Sequence, residues 1–107
     1  MHARVTHVSI RPGKMEEVQR IYRETVVPAA EMHEGFLGAM MLADDAKACG
    51  MSITLWDSHD SASAAEANGY FQAQVAKFAD VLAAEPSREL YEVAMNYTAA
   101  AIERSHC

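Results

Sequence analysis

Five histidines, two cysteines, four tyrosines and a single tryptophan carry most of the side-chain chemistry available to this chain. Imidazole has an unperturbed pKa of about 6.5, close to physiological pH, so the histidines are weighed first. His2 and His7 stand an odd number of residues apart, and on one strand they face opposite ways and cannot share a metal ion. His33, His59 and His106 have no (i, i+4) or His-x-His partner, which leaves no metal site in the pattern. Cys49 and Cys107 lack Cys-x-x-Cys spacing and read as free thiols in a reducing compartment. Asp57, Asp60 and Glu66 suit the start of a helix better than a carboxylate pair, and no Gly-x-Gly-x-x-Gly, P-loop or Gly-x-Ser-x-Gly motif occurs. What remains is an aromatic set. With His7 and Trp56 directed toward the helices, they meet Tyr22, Val26, Phe71, Val75 and Phe78 around a space with few polar groups. That is the makeup of a site for a flat apolar ligand, although the same residues at the same spacing also make ordinary core.

The elements that must hold these residues follow from periodicity. Residues 3–10 alternate as a strand, with Val5, His7 and Ser9 on one face and Arg4, Thr6, Val8 and Ile10 on the other. Arg11-Pro12-Gly13 marks a turn, and Met15, Val18, Tyr22, Val26 and Ala29 then share one face of a helix that Pro28 is expected to kink or interrupt. Gly35 serves as its C-cap, with His33 in the last turn. Residues 36–43 and 51–56 read as an antiparallel pair, and Ser52, Thr54 and Trp56 share a face. A short Ala-rich helix runs from Ser58 to about Ala67, broken at Asn68-Gly69. A second begins near Phe71, with Phe71, Val75, Phe78, Ala79 and Leu82 in one stripe, closed by Pro86. Residues 89–97 alternate as a fourth strand.

The order β-α-β-β-α-β, with right-handed crossovers, puts both helical segments on one face of a four-stranded antiparallel sheet, an α+β fold of the ferredoxin-like type. Residues 1–97 form that domain, and residues 98–107 are a C-terminal tail without period. The length allows one core, and 50% hydrophobic with 22% charged residues is ordinary globular composition. A net charge of −6 with nine scattered cations argues against nucleic acid, and no apolar run reaches the ~18–20 residues that cross a bilayer. The expected location is the cytoplasm. Two helical segments cover only one sheet face, yet the strands carry apolar residues on both, and monomers seldom leave such a patch bare. A homodimer with two sheets face to face is the expected solution.

The strand closed by Arg11-Pro12-Gly13-Lys14, the stretch from Tyr22 to Ala29, Gly35-Phe36-x-Gly38, the run from Ser52 to Asp57, and the run from Gly69 to Phe78 together resemble the antibiotic biosynthesis monooxygenase family over about residues 3–97. The resemblance implies a dimeric α/β barrel of two ferredoxin-like protomers, each with a ligand cavity between sheet and helices. Some members of that family are cofactor-free oxygenases that turn phenols or polycyclic anthrones into quinones, and others bind and degrade haem. On this implication the chain needs no cofactor: His7 is the candidate catalytic base, Trp56 stacks on a phenolic or polycyclic aromatic substrate, Tyr22 donates a hydrogen bond to it, and Val26, Phe71, Val75 and Phe78 complete the binding site. Haem-degrading members pair an asparagine on the first strand with a histidine in the following helical region. Here His7 occupies that strand and no histidine lies between Asp60 and Tyr97, which sets haem binding behind the oxygenase reading. A non-catalytic, dimeric small-molecule binding or stress-associated module is the other alternative.

Overall fold

The computed structural model describes residues 1–66, 69–97 and 99. Its sheet consists of β1 (His2–Ser9), β2 (Phe36–Asp44), β3 (Cys49–Trp56) and β4 (Ser87–Glu92) in the spatial order β2-β3-β1-β4, every neighbour antiparallel. The helical layer is α1 (Met15–Ile21), a π-helical turn (Tyr22–Val26), α2 (Val27–Glu31), α3 (His59–Glu66) and α4 (Tyr70–Ala76). This is the ferredoxin-like α+β arrangement. Among the described residues no helix is long and apolar enough to cross a membrane.

Pro28 shows itself as a widened turn. Proline has no N–H for the carbonyl four residues back and its ring crowds that carbonyl. The chain responds with one π-helical turn in which the Val27 N–H reaches Tyr22 O, and the Thr25 hydroxyl donates to Ile21 O at 2.7 Å. The helix then continues to Glu31 without a break. Gly35 follows with φ +87°, and its carbonyl accepts the Asp57 N–H at 2.8 Å, tying the start of β2 to the start of α3. Ser58 opens α3 by accepting the Ser61 N–H on its side-chain oxygen at 3.1 Å.

Two expected elements come out shorter. The helix beginning near Phe71 ends at Ala76, because residues 81–83 turn their backbone toward β1. Arg11 N–H bonds Val81 O at 2.8 Å, Ala83 N–H bonds Ser9 O at 2.8 Å, and Ile10 bridges Leu82. The fourth strand ends at Glu92 instead of Tyr97, since its partner β1 begins at His2, and the last link is Val93 N–H to Met1 O at 2.9 Å. Beyond that point no neighbouring strand is left among the described residues, and Met95 and Tyr97 are each 80% exposed. The expected tail, with His106 and Cys107, lies outside the described residues apart from residue 99.

The buried core is split. One cluster joins Ile10, Met15, Val18, Val81 and Leu82. The other joins Trp56 to Ala62 and Ala65, with Phe36 and Leu90 packed against it; the two small alanines, three apart on α3, let that helix settle close to the indole. On the opposite sheet face Leu37, Met40, Leu42 and Tyr91 are about half exposed.

Candidate functional site

A cavity of about 110 Å³ lies between the helical layer and the sheet, bordered by members of both core clusters. Its floor is the helix-facing side of the central strands: Arg4, Thr6 and Val8 of β1 beside Ser52, Thr54 and Trp56 of β3. Tyr22 and Val26 come from the π-helical turn, which widens the helix at the point where it overhangs the sheet. Phe71, Val75 and Phe78 close the other side. The surface so formed is almost wholly apolar, with a few polar groups placed within it.

The strand register decides which residues meet here. His2 pairs with Trp56, Arg4 with Thr54 and Thr6 with Ser52, so the even positions of β1 share the face of Trp56. His7 pairs with Met51 and points to the other side of the sheet, where its Nε2 stands 3.6 Å from Glu89 Oε1 with its side chain 46% exposed. The expectation that His7 and Trp56 turn together toward the helices is therefore corrected: strand parity separates them. The other six residues, Trp56, Tyr22, Val26, Phe71, Val75 and Phe78, do line one space.

Trp56 is 4% exposed, and its indole N–H donates to Thr54 Oγ1 at 3.0 Å. Its ring meets Phe36 and His33 edge to face, with centroids 5.3 Å and 6.3 Å away. Trp56 is thus both core and cavity wall. Tyr22 is 7% exposed and its oxygen accepts a hydrogen bond from the Ser52 hydroxyl at 2.8 Å. Burial raises the Tyr22 pKa above the usual phenol value and the Ser52 bond offsets part of that rise, so at neutral pH Tyr22 keeps its proton. With its oxygen already accepting from Ser52, that proton is free to be donated.

One end of the cavity is ionic, and sequence reasoning missed it. Glu66, in the last turn of α3, bridges two guanidiniums: Arg4 on Oε1 and Arg88 on Oε2, the latter 2.7 Å from Nη1. Arg4 and Glu66 are mostly buried, with side chains 16% and 19% exposed. Burial pulls the Arg4 pKa below its usual value, Glu66 opposes this, and Arg88 adds to the lowering. Arg88 also lies over the Phe71 ring, 3.7 Å from its centroid. A glutamate in the last turn of a helix is disfavoured by the helix dipole, so the arginines hold it there. Glu66 Oε2 is buried and makes no properly aligned hydrogen bond despite the nearby Arg88 nitrogen. The expectation that Glu66 belongs to a helix start does not hold. The available signal was Arg4, a cation on the same strand face as Thr6, Val8 and Ile10, the face that packs on the helices. Among the described residues no group of three or more His, Cys, Asp or Glu is arranged to hold a metal ion.

The fold is that of the antibiotic biosynthesis monooxygenases. The family model matches residues 1–87, and the chain belongs to that family. Comparison with curated proteins finds no match. Among solved structures, the chain is similar to SnoaB, a cofactor-independent oxygenase from Streptomyces nogalater, at 16% identity over 89% of this chain and 94% of that one, with a TM-score of 0.71. A protein of unknown function from Nitrosomonas europaea is 16% identical over 92% of this chain and 94% of its own, with a TM-score of 0.73. At these identities the likeness is one of fold.

Proposed function

We propose that this protein is a cofactor-independent monooxygenase that oxidises a phenolic aromatic molecule to a quinone in the cavity beside Trp56. The observation that carries this reading is an apolar, aromatic-walled space that ends at Arg4 and its ion-pair partner Glu66. A phenolic hydroxyl suits that end, because the anion it leaves on ionising is stabilised by Arg4, which lines the cavity. Tyr22, still protonated, donates to an oxygen on the ring, and Trp56 and Phe71 contact the ring itself.

The chemistry then needs only dioxygen. The phenolate passes one electron to O2; the resulting radical and superoxide combine at the para ring carbon to give a hydroperoxide. Breaking its O–O bond, with loss of the proton on that carbon, yields the quinone and one water. One phenol and one O2 are thereby converted to one quinone and one H2O. The protein contributes a dry site, an orientation and a field that favours the anion. His7 has no part in this step, because its ring lies across the sheet from the cavity. The face that carries His7, Met40 and Leu42 is instead proposed to pair with the same face of a second copy, giving a homodimer of barrel form, in line with its exposed apolar side chains.

Oxygen uptake and quinone absorbance, measured with a panel of electron-rich phenols and anthrone, test the proposal. Turnover that drops at least tenfold in Tyr22→Phe and in Trp56→Phe supports it. Rates equal to the enzyme-free control across the panel would overturn it.

A further inference from the structure

Resting on the reading of this cavity as the site of an aromatic substrate, we infer that Arg88, which does not border it, is the latch of its α4 wall. The guanidinium holds Phe71 in place, and a ring enters when that hold is released. Room is the first argument. A dry core cavity that takes up benzene measures roughly 150 Å³, and this one measures about 110 Å³. A phenolic ring therefore needs a wall that retreats.

Most of the borders are tied down. The floor strands β1 and β3 are paired along their whole length, from His2 with Trp56 to Ser9 with Cys49. Tyr22 is bonded to Ser52 of that floor. Ala62 and Ala65 of α3 are buried against Trp56, and the start of that helix is fixed by Asp57 N–H to Gly35 O. The α4 border differs. Among the described residues, 70–76 make no backbone hydrogen bond to the sheet or to another helix, and the chain is tied to β1 again only at residues 81–83. Phe71, Val75 and Phe78 are partly buried. An element held by side-chain packing without such backbone ties belongs to the part of a fold that opens first.

Arg88 supplies the directed contact that this packing lacks. It pairs with Thr6 in register, so it stands on the helix-facing side of β4. Its Nη1 is 2.7 Å from Glu66 Oε2 at the end of α3, and its guanidinium carbon lies 3.7 Å from the centre of the Phe71 ring. A planar guanidinium serves a carboxylate and an aromatic face at the same time. Glu66 is held in turn by Arg4 on the cavity floor. The sequence of contacts Arg4, Glu66, Arg88, Phe71 thus fastens α4 to the rest of the site. Arg88 is a positioning residue that acts through Phe71, and its side chain, 33% exposed, is within reach of solvent.

The experiment reads Trp56, the single tryptophan, which is 4% exposed and forms part of the cavity wall. Two measurements are made under nitrogen, so that no turnover intervenes: quenching of its fluorescence by acrylamide, a small neutral molecule, and stopped-flow quenching by 2-nitrophenol, a single-ring phenol that accepts its emission. In the wild type the 2-nitrophenol rate should level off with concentration, at the rate at which the wall opens. Arg88→Met should raise both that plateau and the acrylamide constant about fivefold, the Boltzmann weight of a cation–π contact of this kind. In a Phe71→Leu background Arg88→Met should change neither any further, because the latch acts through that ring. Gly13→Ala, at a turn outside the cavity lining, should lower the urea midpoint and leave both constants as they are, which separates the latch from general loosening. Should Arg88→Met fail to fold by circular dichroism, Arg88→Lys takes its place with the same rise expected, since an ammonium offers one point charge for two partners. Unchanged constants in the Arg88 variant, an equal rise in the Phe71→Leu background, or no binding of 2-nitrophenol by either protein overturns the inference. A rise in both constants without oxygen uptake from any phenol would sink the oxygenase reading alone. Oxygen uptake with both constants unchanged would sink the latch alone.

Discussion

Gly35 and Gly13 offer a matched pair in which steric contact can be separated from backbone conformation. Both adopt left-handed geometry, with φ +87° and +80°. A Cβ added at Gly13 meets nothing within 4 Å, so Gly13→Ala carries only the cost of placing alanine in that region, about 1–2 kcal/mol. A Cβ at Gly35 falls 2.5 Å from Ser61 Cβ and 2.6 Å from Asp57 Oδ1. Those neighbours cannot easily retreat, because Asp57 N–H is bonded to Gly35 O and Ser61 N–H to Ser58 Oγ at the start of α3. Overpacking of this kind adds about 1–3 kcal/mol. Gly35→Ala should therefore lose about 2–5 kcal/mol in all. In urea denaturation at one fixed protein concentration, the midpoint of Gly35→Ala should fall below that of Gly13→Ala by about 1 M, given slopes of about 1–3 kcal/mol/M for small proteins. Equal midpoints for the two variants would refute the claim that close packing between the start of β2 and α3 makes glycine obligatory at position 35.

Three further outcomes are expected. Trp56→Ala removes the centre of the second core cluster and should cost about 3–5 kcal/mol by the same denaturation assay. Because burial holds the Tyr22 pKa above its unfolded value of about 10, the native state keeps a proton that the unfolded chain releases. That contribution is whole below pH 10 and drains away as pH climbs through the raised value, so the decline of stability above pH 10 should be shallower in Tyr22→Phe. Met40→Glu, on the half-exposed apolar face, should shift sedimentation from a dimer to the 11.7 kDa chain while leaving the far-ultraviolet circular dichroism intact; a wild type that already sediments as a monomer would dismiss the pairing.

Much of the architecture was legible from residue order alone. Alternation placed Ser52, Thr54 and Trp56 on one face, helical spacing put Val18, Tyr22 and Val26 on another, and Ser58 marked a helix start where it occurs, whereas the helix expected to be capped by Gly35, with His33 in its last turn, ends at Glu31 with Met32 as its C-cap. These are local properties, set by the pitch of a helix, the pleat of a strand and the few residues that accept unusual backbone angles. Six of the seven proposed site residues meet around one cavity for the same reason.

Pairing between distant segments decided the rest. Periodicity sorts β1 into two faces without saying which one the helices cover, and only the register that opposes His2 to Trp56 sends Arg4 inward and His7 outward. The Arg4–Glu66–Arg88 bridge joins three elements far apart in the chain, so no spacing rule could have found it. The ends of α4 and β4 were likewise set from outside, by the backbone of residues 9–11 and by the first residue of β1 to find a partner. Local sequence settles which conformation each segment prefers, whereas hydrogen bonds and ion pairs across the fold settle which side chains come to share a dry space.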